Sequence, residues 1–140
     1  MNKGRVLPGL ALTAVITLCV AGATAAHHSL TGIYETSANV TFEGVIREFH
    51  FVNPHPYLTV EVTRNGRSER WKMEMDNRGE LAAIGMTSTT FKNGDRITVS
   101  GSPGHSGAKA LYVRKLDRPK DGLWYEQEGF EPRMGVSKGN

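Results

Sequence analysis

Cysteine is almost missing from this chain: Cys19 is the only one in 140 residues, and it falls in a segment that reads as an export signal. An exported domain without cysteine has no disulfides, so its apolar core alone must hold it. The dense metal signatures are missing too. There is no His-x-x-x-His on a helical stretch, no Cys-x-x-Cys and no calcium-binding loop. Neither a Gly-x-Ser-x-Gly elbow nor a glycine fingerprint for phosphates occurs, which removes two common enzyme readings. Internal repeats and low-complexity segments are lacking as well.

What the chain does have begins with its N-terminus. Lys3 and Arg5 are followed by the uncharged apolar run Leu10 to Val20, then by the small-residue stretch Ala21 to Ala26. That three-part layout predicts a signal peptide over residues 1–26. The apolar run is too short for a comfortable membrane span, which takes about 20 residues. Export predicts a periplasmic protein. It also changes the charge argument. The whole chain carries 17 Lys plus Arg against 14 Asp plus Glu, and removing Lys3 and Arg5 leaves 15 against 14. A near-neutral exported domain gives no electrostatic reason to expect nucleic acid. About 114 residues remain, enough for one self-supporting domain.

From Val40 onward the strongest pattern has period two. Val40 to Phe51 alternates, with Gly44 as the expected bulge or bend, and Asn53-Pro54-His55-Pro56 breaks the run. Tyr57 to Thr63 reads as a second strand and Arg70 to Met75 as a third, joined by the hairpin dipeptide Asn65-Gly66. Met73 and Met75 are expected in the core. Asn77 to Ile84 reads as a short helix with Asn77 as its cap and Gly85 as its stop. Arg96 to Ser100 and Ala110 to Leu116 supply two more strands.

Three strands, a short helix and two strands predict a mainly β fold. The expected form is a small OB-like five-stranded antiparallel barrel, its one helix lying between strands three and four. A β-sandwich is the alternative, although it wants about seven strands. The barrel is assigned to residues 27–122, and 123–140 read as a tail carrying Trp124, Tyr125 and Phe130.

The histidines carry the candidate chemistry. Cleavage after Ala26 would leave His27 first, so that its α-amine and imidazole could chelate one metal ion. Cleavage after Ala25 would put His28 third, so that the amine, two amides and its imidazole could wrap square-planar Cu(II) or Ni(II). His55 lies between two prolines that fix its backbone, and His50 stands at the end of the first strand. The candidate metal ligands are therefore His27, His28, His55 and His50. His105 reads as exposed on a glycine loop, and Glu74 with Asp76 as a solvated face.

Taken in order, Ala26-His27-His28-Ser29, Gly44-Val45-Ile46, Asn53-Pro54-His55, Trp71, Asn93-Gly94-Asp95 and Val99-Ser100-Gly101-Ser102-Pro103 form a set. The set resembles a widespread family of small exported proteobacterial proteins of undefined function. The resemblance covers His27 to about Gly122 and implies a periplasmic OB-like domain. The chain departs from that pattern at Leu30, where phenylalanine is common, and at Asp76-Asn77-Arg78-Gly79, where a small or proline-bearing turn is common.

The function expected is that of a non-enzymatic periplasmic binding or accessory protein, with copper(II) or another divalent transition metal as candidate ligand. The alternative is a metal-free interaction module of the cell envelope, docking through the barrel rim and the aromatic tail. An enzyme is not expected, because the sequence supplies no activated nucleophile and no oxyanion stabiliser.

Overall fold

The computed structural model describes residues 30–129 and 131–137. Residues 30–33 are a helical turn, and a separate compact unit begins at Tyr34. That second unit is the barrel. Its strands are β1 (Val40–His50), β2 (Tyr57–Arg64), β3 (Arg67–Glu74), β4 (Arg96–Pro103), β5 (Ala110–Arg118), β6 (Leu123–Glu126) and β7 (Arg133–Val136), with helix α1 (Arg78–Ala83) between β3 and β4. Neighbouring strands run in the order β3-β2-β1-β4-β5-β6-β7, and a parallel pairing of β3 with β5 closes the first five into a barrel. The expected OB-like form is what the chain adopts.

The period-two residues face inward. Leu58, Val60 and Val62 from β2, Trp71 and Met73 from β3, Ile97 and Val99 from β4 and Leu111, Val113 and Leu116 from β5 fill the interior. Met75 is fully buried with them. The β2–β3 turn is Asn65-Gly66, both at positive φ (50° and 74°), which makes it a tight two-residue hairpin. Asn77 caps α1 by accepting the Glu80 amide at 2.9 Å, and Leu81 drives the helix into one end of the barrel.

Two differences from the sequence reading have physical causes. Gly44 is not the bulge. It sits on the inward face, where a Cβ would lie 2.5 Å from Val60 Cγ1 and 2.8 Å from the Glu61 carbonyl. It is the residue that lets β2 approach β1. The extra residue is Arg47, where the register with β2 shifts between Ile46 and Glu48. That shift explains why inward positions are even before it (Phe42, Ile46) and why odd-numbered Phe49 packs on the core after it.

The second difference is at the C-terminus. Residues read as a tail form the β6–β7 hairpin, with β6 paired to β5 from Arg118↔Leu123 to Lys115↔Glu126. Leu123 and Tyr125 are buried in the core, and Trp124 lies across Gly135, where a Cβ would stand 2.8 Å from its Cζ2. A buried ion network ties the loop before β4 to β5. Arg118 Nη1 meets Asp95 Oδ2 at 2.7 Å and donates to the Thr90 carbonyl at 2.6 Å, while Lys120 also reaches Asp95.

Candidate functional site

The helix-capped end of the barrel gathers most of the titratable side chains that are not simple surface charges. Its frame is the loop between β1 and β2. There the Asn53–Pro54 bond is cis, the Pro54 carbonyl accepts the Arg78 amide at 2.9 Å, and the Pro56 carbonyl accepts the Met75 amide at 2.9 Å. Arg78 Nε also donates to the Phe51 carbonyl at 3.2 Å. The loop is thus pinned on both sides of His55 to the segment on both sides of Asp76, near enough for His55 to act electrostatically on that carboxyl. The prolines do hold His55, as their spacing implies, with Nδ1 buried and without a hydrogen-bond partner.

Asp76 is half-buried, and burial raises its pKa above the usual aspartate value. Its carboxylate accepts the Asn77 amide at 2.7 Å, which pulls the other way. The carboxyl of Glu80 beside it pushes it up again, and His55 opposes that. Three tyrosines crowd the same end. Burial, then the charge of Asp76, holds Tyr112 and Tyr125 in the neutral phenol form far above neutral pH. The Tyr125 hydroxyl is buried beside the Asp76 backbone, with no well-formed hydrogen bond. Tyr34 donates to Glu74 Oε2 at 3.1 Å and packs on Tyr112 with ring centres 5.8 Å apart. Burial and that carboxylate raise its pKa too. Lys72 Nζ lies 3.5 Å from the same Glu74 oxygen.

Glu74 and Asp76 are therefore not the solvated face expected. Strand β3 ends at Glu74, and the chain then turns inward, so extending its alternation to residue 76 fails. The signal available in the sequence was Tyr112, a polar-tipped ring inside the buried run Leu111 to Val113. A buried phenol needs polar company.

The remaining histidines go elsewhere. His50 lies flat on Tyr57, with ring centres 4.4 Å apart and planes 17° from parallel, and its Nε2 is 2.8 Å from Glu48 Oε2. His105 is exposed as expected, but in the short 3-10 turn His105–Gly107, its Nδ1 3.8 Å from Glu35 Oε2. His27 and His28 lie outside the described residues. Among the described residues no group of three or more His, Cys, Asp or Glu is placed to hold a metal ion, so the structure does not join His50 and His55 into such a group.

The chemistry this end can perform is proton holding within a closed lattice. The surface grooves lie away from it. One crosses the outer faces of β2, β1 and β4 between Glu61, Val45 and Thr98, with a volume of about 420 Å³. A second, about 550 Å³, lies where β1 begins and β2 ends, at the opposite end of the barrel from His55. A third, about 520 Å³, adjoins it across Arg64. Among the described residues no helix is long and apolar enough to cross a membrane.

No curated protein and no solved structure matches the chain. One family does match, over residues 14–112, from the apolar N-terminal run into β5, leaving the β6–β7 hairpin beyond it. Its description is "Family of unknown function (DUF6152)", and the chain belongs to that family.

Proposed function

We propose that the protein is a non-enzymatic binding or accessory protein that works in the periplasm after loss of residues 1–26. The observation that best supports a binding role is Arg64. Its guanidinium lies 5.5 Å from the Phe42 ring centre and 5.9 Å from that of Trp71, at the mouth of an open groove. It has no carboxylate within salt-bridge distance among the described residues, although its charge reaches Glu69. A planar cation held against two rings and open on its other side is a recognition group already in place. The polar groups at the His55 end differ in that several are taken up by one another.

A divalent transition metal, copper(II) first, is the second ligand class of this reading. It rests on Ala26-His27-His28 at the expected cleavage site. An α-amine, backbone amides and an imidazole from one short N-terminal stretch chelate Cu(II) without any barrel residue. The test is intact mass and Cu(II) titration of protein exported and processed by its own signal. Tight binding lost on adding a Met ahead of the new N-terminus supports the metal class. Weak binding, indifferent to that Met, ends it.

The metal-free alternative, docking on an envelope partner through the barrel rim and the aromatic tail, keeps the half-buried Trp124 but not Tyr125, and Phe130 lies outside the described residues. Tyr125 and Leu123 belong to the core, so they are not available as contacts.

A further inference from the structure

We infer that the groove at the open end of the barrel binds a small carboxylate-bearing organic anion with an apolar or planar body, gripped by Arg64. This rests on the binding-protein reading and names the ligand class for it. The floor comes from Val40, Phe42, Trp71 and Pro103, with the Phe42 and Trp71 rings packed 4.5 Å apart and tilted by 43°. Such a floor suits a flat or aliphatic body. Arg64 belongs to both adjoining grooves, so its guanidinium divides a single trough, with Arg67 on the far side.

The charges around the trough select the anion. Glu69 lines the far groove but is already engaged by the Trp71 indole N–H at 3.2 Å and by Lys109 at 3.4 Å. Glu43 lines the near groove and is exposed. Arg64 and Arg67 face the exposed Glu43 and a Glu69 that Trp71, Lys109 and Arg64 share, a balance that favours a single negative charge and disfavours a polyanion. A guanidinium fork matches a carboxylate with two parallel N–H···O bonds, and one already lying against rings has less freedom to lose on binding. Each of the two grooves falls within the usual size of a small-molecule site.

The experiment uses the processed full chain carrying Trp124→Phe, which leaves Trp71 as the only indole, and reads its fluorescence. The probes are benzoate, phenylacetate and hexanoate, with benzamide as the uncharged match. A saturable change is expected for at least one anion, in the millimolar range proper to a ligand of about nine non-hydrogen atoms. Benzamide should bind at least tenfold more weakly than benzoate. Arg64→Gln, an exposed position, should weaken the anion at least tenfold while lowering the melting temperature by no more than a few degrees, the loss of its contact with the two rings. Equal response to benzoate and benzamide overturns the inference, as does wild-type binding by Arg64→Gln or no saturable response to any of the three anions. Cu(II) titration of the same preparation separates the two failures. Copper binding without an anion response sinks this inference alone, and failure of both removes the binding reading as well.

Discussion

The Pro54 carbonyl accepts the Arg78 amide at 2.9 Å, and through that bond the β1–β2 loop is fastened to the start of α1. His55, one residue further along, is brought within electrostatic reach of Asp76, one residue past the end of the second clamp. The helix-capped end is therefore a closed polar lattice built from β1–β2, the β3–α1 turn, β5 and β6. The opposite end, under Arg64, is the open one.

Asp76 makes stability fall as pH rises. Its folded pKa is raised, so its favourable contribution is complete below the unfolded value near 3.9 and is lost as pH climbs through the folded value. Asp76→Asn keeps an acceptor for the Asn77 amide and removes the ionisation. Thermal melts should place the variant a few degrees above wild type at pH 7, with the gap closing at pH 4. A variant less stable than wild type by the same amount at both pH values would contradict this.

Asp95 works in the opposite sense. Burial pushes its carboxyl up, but Lys120, the Lys92 amide and Arg118 together hold it below the usual range. Its contribution is present above the unfolded pKa and is lost as pH falls through the folded one. Arg118→Ala leaves that carboxylate without its one buried cation and should cost about 3–5 kcal/mol in urea unfolding at pH 7. Lys120 is exposed, and Lys120→Ala should cost under about 1 kcal/mol.

The β6–β7 hairpin is part of the core, and side-chain truncation reads this directly. Tyr125→Ala should cost about 3–5 kcal/mol. Tyr125→Phe removes a buried hydroxyl that lies beside the Asp76 backbone without a well-formed bond, so denaturant unfolding should find a change under about 1 kcal/mol. A large loss in the phenylalanine variant would mean that the hydroxyl is bonded after all.

Gly44 should resist any side chain. Gly44→Ala drives a methyl into Val60 and the Glu61 carbonyl, and urea unfolding should register a loss of about 1–3 kcal/mol. Gly66→Ala, in the hairpin turn with open space around it, tests backbone φ alone and should lose less.

Most of the barrel was legible because its signals are local. Asn65-Gly66 marks a hairpin, Asn77 a cap, and Leu58-Val60-Val62 an inward face within one strand. Four-residue β6 and β7 are too short for alternation to show, and their partners are set by β5 and by each other. The bulge was misplaced for a related reason: a phase change between Ile46 and Phe49 reveals that an extra residue exists, but only the pairing with β2 shows it to be Arg47. His55 could be read as rigid from its two prolines. Its neighbours could not be read, because Tyr112 and Tyr125 arrive from strands far along the chain. Arg64 stands in sequence among alternating charges, with Glu61, Arg67, Glu69 and Arg70 around it. Only the β1–β2–β3 arrangement sets it over Phe42 and Trp71.

The central claim is that binding belongs to the open end, and an ¹H–¹⁵N NMR titration of the processed protein with benzoate tests it most directly. The account predicts shifts concentrated at the Trp71 indole N–H, Thr63, Arg64 and Val40, with the amides of His55, Asp76 and Tyr125 unmoved. Shifts gathered around His55 and Asp76, with the Trp71 signal still, would contradict it and transfer the site to the helix-capped end.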